Sequence, residues 1–243
     1  MASFANRVTG SAAKLLRGSV AFVLFALFGA GSAVLSPLMP VLRTPDRCQP
    51  PIRFAWRILV ALCRATGLIS VDASGLRRVR GCVLAASHPS LIDVVIVVAL
   101  VPRTLFVAKH SLARNPVLRA IVRHAALPDD PRLLETAPEY LAAGWNVLVF
   151  PEGTRTRVRG SLNPLRRGTA QLVLRSGAPL SCVKIETSAR ILGKGQNPFD
   201  MTAKTVRYTL RSRDVRFVPD PSEPLRSRAV RLSRAMAEAL SAP

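Results

Sequence analysis

Acidic residues are scarce in this chain. Of 243 residues, 14 are Asp or Glu against 35 Lys or Arg, a formal net charge of +21. Lysine is scarce too: Lys14, Lys109, Lys184, Lys194 and Lys204 are the only ones, so the other basic residues are arginines. Such a surface attracts polyanions, whether lipid headgroups, nucleic acid or phosphorylated substrates, although solvated arginine faces need no partner at all. Aromatics make up 5%. With so few stacking platforms and no recognisable reading motif, no nucleic acid is expected as partner. The four cysteines form no Cys-x-x-Cys pair, and Cys63 and Cys82 lie in apolar segments. That excludes a disulfide framework and a zinc site, and no metal or other cofactor is expected. No Gly-x-Ser-x-Gly elbow occurs, so nothing marks a covalent serine intermediate. No internal repeat is present.

What is there begins with a long apolar run. Residues 19–42, SVAFVLFALFGAGSAVLSPLMPVL, carry no charge. About 20 apolar residues span a hydrocarbon core as a helix. Gly29, Gly31, Ser32, Ser36, Pro37 and Pro40 permit a break midway, so a single span and a hairpin returning to one face both stay open. A cleaved signal peptide ending near AGSA is a third reading. Basic residues flank both ends, and the positive-inside rule does not fix an orientation. The following stretch, 51–69, is an expected amphipathic helix. Arg53, Arg57 and Arg64 lie on one side, with Phe54, Ile58, Leu62 and Ala65 opposite. Pro50 and Pro51 suit its start and Gly67 its end. Such a helix either packs on the domain or lies on a membrane surface.

From residue 70 onward, strands and helices alternate. Strands are expected at 82–87, 104–108, 146–150, 179–185 and 205–219. Helices are expected at 90–101, 114–124, 131–143, 164–176 and 225–240. This pattern predicts an α/β fold with a mixed, mainly parallel sheet flanked by helices, preceded by an N-terminal membrane-associated helical segment. Residues 1–50 form the basic segment and hydrophobic anchor, and 51–243 form the α/β domain.

Two motifs fall where strands should end, the place where sites gather in open α/β sheets. The first is SHPSLID (87–93). An imidazole, with an ordinary pKa near ~6.5, accepts a proton at neutral pH. A base that activates a hydroxyl needs this, and needs a carboxylate to fix its tautomer. His88 in a strand-to-helix loop and Asp93 in the first helical turn meet that need, with Ser90 as N-cap. Asp93 equally suits a plain capping-box acid. The second motif is FPEGTRTR (150–157). Gly153 lets backbone approach a ligand, Thr154 offers a hydroxyl, and Arg155 offers a forked cation suited to phosphate. Glu152 and Arg155 also fit a structural ion pair within a turn. No acid lies between Gly153 and Ile185, while seven cations do, Arg155 and Lys184 among them.

Together, HPSLID and FPEGTR resemble the glycerophospholipid acyltransferase family, best known through 1-acylglycerol-3-phosphate acyltransferases. The resemblance extends from about 52 to 217. It implies an O-acyltransferase moving a fatty acyl group from acyl-ACP or acyl-CoA to a lysophospholipid acceptor. It assigns His88 as general base and Asp93 as its orienting partner. It assigns Glu152, Gly153, Thr154 and Arg155 to the glycerol phosphate, with Arg155 on the phosphate. FVAKHSL (106–112) resembles the family's intervening segment, and Lys109 matches its basic residue near the site. VLRAIVRHAALPDDPR (117–132) departs from it: the family's glycine is absent, and Asp129 and Asp130 stand near its arginine. GAPLSCVKIETS (177–188) is similar to the fourth segment, with Lys184 and Glu186 intruding. An anionic membrane surface is the expected partner, and the inner membrane, active domain facing the cytoplasm, the expected location. Rival readings are a different lipid acceptor, a membrane-anchored nucleic-acid-binding protein, and a lipid hydrolase using His88 and water.

Overall fold

The computed structural model describes residues 2–35, 44–109, 112, 114, 122, 125–193, 195–196 and 202–242. Seven strands form one sheet: β1 (Ile69–Gly75), β2 (Val83–Ala86), β3 (Thr104–Ala108), β4 (Ala126–Pro128), β5 (Asn146–Val149), β6 (Leu180–Thr187) and β7 (Val206–Val215). Their order is β1-β7-β6-β2-β5-β3-β4, and only the β6–β7 pair is antiparallel. The expected mixed, mainly parallel sheet is what forms. β1 and β7 run against the other five strands. The starts of these two therefore share an edge with the carboxyl ends of β2, β3, β5 and β6.

Helices cover both faces. On one side lie α1 (Ala2–Leu35), α2 (Pro45–Ala65) and α3 (Asp93–Leu100); on the other lie α4 (Leu133–Ala142), α5 (Gly168–Ser176) and α6 (Leu225–Ser241). The period-2 alternation of β2 separates the two cores. Leu84 and Ala86 join the α1–α3 side, while Val83 and Ala85 join the α4–α6 side. All four residues are buried, the pattern of a central parallel strand.

Several boundaries differ from expectation. Gly29 and Gly31 do not break α1, which runs unbroken through them; the proposed breakers Ser36, Pro37 and Pro40 lie outside the described residues. α2 starts at Pro45, so Pro50 and Pro51 lie inside it and not at its start, and each removes an N–H from the helical ladder. It stops at Ala65, and residues from Ile69 on leave as β1, a strand the alternation did not reveal. Phe54, Ile58 and Leu62 are exposed, whereas Ile52, Trp56, Leu59 and Cys63 make the packed face. The helix expected at 114–124 falls almost wholly outside the described residues.

Candidate active site

β2 ends at Ala86, and the chain turns over the sheet edge through Ser87 and His88 before α3 begins at Asp93. Ser87 pins the turn to β6. Its N–H donates to Val183 O (3.1 Å), and its hydroxyl accepts from Ile185 N (2.8 Å). His88 Nδ1 lies 3.0 Å from Asp93 Oδ2, and the Ser90 N–H donates to that same oxygen at 2.7 Å. Asp93 Oδ2 thus meets both the imidazole and the Ser90 main chain; the N-cap of α3 is Ile92 and not the expected Ser90, and it has no side-chain cap bond. Ser90 assists by accepting from Ile92 N (3.3 Å).

Asp93 is fully buried. Burial pushes its carboxyl above the ordinary carboxylate range, opposed by the hydrogen bonds from His88 and Ser90. A carboxylate only accepts, so it holds the proton on Nδ1 and leaves the Nε2 lone pair as the basic one. The imidazole also stacks on Phe150, with centroids 4.0 Å apart. A ring clamped on its face and at Nδ1 has little freedom, which is the condition for a positioned base.

The second motif follows β5. Pro151 to Thr156 turn back beneath the His88 loop, and the Thr156 N–H donates to His88 O at 2.7 Å. Glu152 is buried between the two loops. Its Oε1 accepts from His88 N (3.0 Å) and Thr156 Oγ1 (2.8 Å), and its Oε2 accepts from Asn163 N (2.9 Å). Both oxygens are used on the protein itself, so Glu152 braces the loops instead of facing a ligand, and it forms no ion pair with Arg155 among the described residues. Gly153 adopts φ +63, and a Cβ there would stand 2.5 Å from Arg166 Nε. The left-handed conformation favours glycine, and the close neighbour is the movable end of the Arg166 side chain.

Arg155 is half-buried, and its Nη1 donates to Leu192 O (2.7 Å) and Gly193 O (3.0 Å). That amine is spent on backbone. Thr154 is half-buried beside it, and Lys109 is exposed just past β3 on the same edge. Lys109 is not drawn into the His88–Glu152 network among the described residues. Phe150, Thr156 and Asn163 are parts of the site whose roles the sequence did not announce. Thr156 stands four residues after Glu152, a findable offset; Asn163 acts through its main chain and leaves no signal.

Buried thiols add nothing nucleophilic. Burial pushes Cys63 and Cys82 up to about 11 and Cys182 up to about 12. A clamped base beside an exposed strand edge, without an activated thiol, suits direct attack of one substrate on another.

The family model described as Acyltransferase matches residues 69–186, which enclose both loops. That match, with the fold described above, supports assigning the chain to the glycerophospholipid acyltransferase family. Residues 69–186 form an acyltransferase domain by that match. A search of curated proteins finds no match. Among solved structures, the chain is similar to the 1-acyl-sn-glycerophosphate (LPA) acyltransferase PlsC from Thermotoga maritima. The TM-score is 0.64 at 19% identity, covering 95% of this chain and 97% of that one. At that identity the likeness concerns the fold.

Proposed function

We propose that this acyltransferase moves a fatty acyl group from acyl-ACP or acyl-CoA to the free hydroxyl of a lysophospholipid at a membrane surface. With 1-acylglycerol-3-phosphate as acceptor the product is phosphatidic acid. The observation that carries the reading is the His88–Asp93 pair at 3.0 Å, tied to the FPEGTR turn through the Thr156–His88 main-chain bond. His88 Nε2 takes the proton of the acceptor hydroxyl while its oxygen attacks the thioester carbonyl. The C–S bond breaks, and the thiolate takes the proton back from the imidazolium, so an ester and a thiol leave. Arg155 binds the acceptor's phosphate, with Thr154, Gly153 and Lys109 around it.

Membrane attachment is supported by α1, whose Ser11–Gly31 stretch is long and apolar enough to span a bilayer. Residues 1–50 then serve as the anchor and 51–243 as the catalytic domain. We place the active domain on the cytoplasmic side of the inner membrane, where acyl-ACP and acyl-CoA are found. Exposed Phe54, Ile58 and Leu62 give α2 an apolar stripe suited to the interface.

One observation favours a second acceptor. Arg155 commits Nη1 to two carbonyls, which leaves a weaker clamp than a free guanidinium offers a phosphomonoester. A lysolipid with a different headgroup is the alternative within the same chemistry.

The test supplies vesicles containing the protein with labelled acyl donor and either lysophosphatidate or a panel of other lysolipids. His88→Ala is expected to abolish transfer while the protein stays membrane-bound. Labelled free fatty acid released regardless of acceptor would defeat the transfer reading in favour of hydrolysis. Transfer to another lysolipid alone would move the acceptor assignment.

A further inference from the structure

The catalytic edge has a second recess, on the side of the sheet away from α1 and α2. It is a cavity of about 320 Å³ whose walls include Ser87, Pro89 and Thr156 from the two catalytic loops. Arg159, Lys184 and Arg190 also line it. Along β6, Val183 and Ile185 belong to the α1–α3 core, so by strand alternation Lys184 and Glu186 point to the opposite face. There the C-terminal turn of α6, Leu240 and Ser241, closes the cavity. His88 turns the other way, onto Phe150 and Asp93 of the α3 side. One wall of this cavity thus ends within one residue of the base, yet faces away from the apolar helices.

Its charge is positive. Glu186 is the single acid among the residues lining it, and its Oε1 is paired with Lys184 Nζ at 2.8 Å. Arg159 reaches the cavity while its Nη1 is fastened to Ser188 O. A small recess with three cations in its walls favours a compact anion. The opposite side exposes Phe22, Val23, Leu27, Phe54, Ile58 and Leu62, and suits lipid.

We propose that this cavity binds the phosphate end of the phosphopantetheine arm, the chemistry shared by acyl-CoA and acyl carrier protein. The donor then enters from the α4–α6 side, the lysolipid from the α1–α3 side, and the two meet across the His88 loop. This rests on the acyl-transfer reading with a thioester donor.

The experiment measures initial rates of the full chain in phospholipid vesicles, varying acyl-CoA, acyl carrier protein thioester and acceptor in turn. Lys184→Ala and Arg159→Ala are expected to raise the KM of either donor about tenfold, with acceptor KM unchanged. Glu186→Gln frees Lys184 and is expected to lower donor KM about threefold. A variant that merely damaged the fold would not improve donor binding. A rise in acceptor KM instead, or a response to acyl-CoA alone, overturns the assignment. Equilibrium binding of phosphopantetheine itself separates this inference from the activity. Binding that Lys184→Ala weakens supports the cavity even if no acceptor is turned over, and no binding to the unmodified chain refutes it while leaving acyl transfer standing.

Discussion

Asp93 is where function and stability pull apart. Its carboxyl is fully buried and raised by that burial, so the folded chain binds this proton more tightly than the unfolded chain does. The contribution of this group to stability is therefore complete at low pH and is lost as pH rises through its folded-state titration. At neutral pH the charged form needed to hold His88 is a cost to the fold. Asp93→Asn removes that cost and still offers an oxygen to the Ser90 N–H. We expect Asp93→Asn to melt about 2–4 °C higher at pH 8, the shift that roughly 1 kcal/mol makes in a chain of this size. The same variant should lose about 10²–10⁴-fold in turnover through tautomer and orientation. Calorimetry and rate measurement on one preparation decide it; a lower melting temperature would mean the carboxylate stabilises the fold after all. His88 and Asp93 were legible because a loop base and a first-turn acid have a recognisable offset. Glu152 was legible as important, but its job was not: two of its donors are the main-chain N–H groups of His88 and Asn163, and main-chain donors carry no residue signature.

Among the elements, α2 has two apolar faces, which a single amphipathic stripe does not describe. Ile52, Trp56, Leu59 and Cys63 pack inward, while Phe54, Ile58 and Leu62 recur every four residues on the exposed side. The outer face therefore has little role in folding. Replacing Phe54, Ile58 and Leu62 together by Ser should leave the melting temperature within a few degrees. The same change is expected to weaken partitioning into anionic vesicles at least about tenfold, since each such side chain is worth roughly 1.5–3 kcal/mol when buried. Co-sedimentation with vesicles reads the effect. Unchanged partitioning would leave α1 as the sole membrane contact. Sequence patterning located β2, β3, β5 and β6 as apolar runs, and β7 by its alternation of apolar and charged residues. It missed β1, whose exposed acid, serines and terminal glycine, ISVDASG, resemble a loop. It also missed the three-residue β4, which ends at Pro128 on the sheet edge, where a missing donor costs nothing.

Across the whole molecule, the reversed direction of β1 and β7 has a consequence for where α1 is held. Arg17 of α1 reaches carbonyls at the starts of both strands. Its Nη2 donates to Gly67 O (2.8 Å), Leu68 O (3.2 Å) and Lys204 O (3.2 Å), and its Nε donates to Thr202 O (2.9 Å). Because those starts share an edge with the ends of β2 and β5, the guanidinium fastens the apolar helix to the catalytic edge and not to the far one. This relation was invisible in the sequence, where Arg17 is one of many arginines near a hydrophobic run. If α1 holds the site against the bilayer, the staple matters for lipid in a membrane more than for chemistry as such. Arg17→Ala is expected to cut turnover of vesicle-embedded lysolipid about fivefold or more, the loss of one charge-assisted anchor, while a water-soluble short-chain lysolipid reacts at nearly the original rate. Equal losses on both acceptors would make Arg17 a general stabiliser of the fold. No loss on either would show that α1 does not position the site.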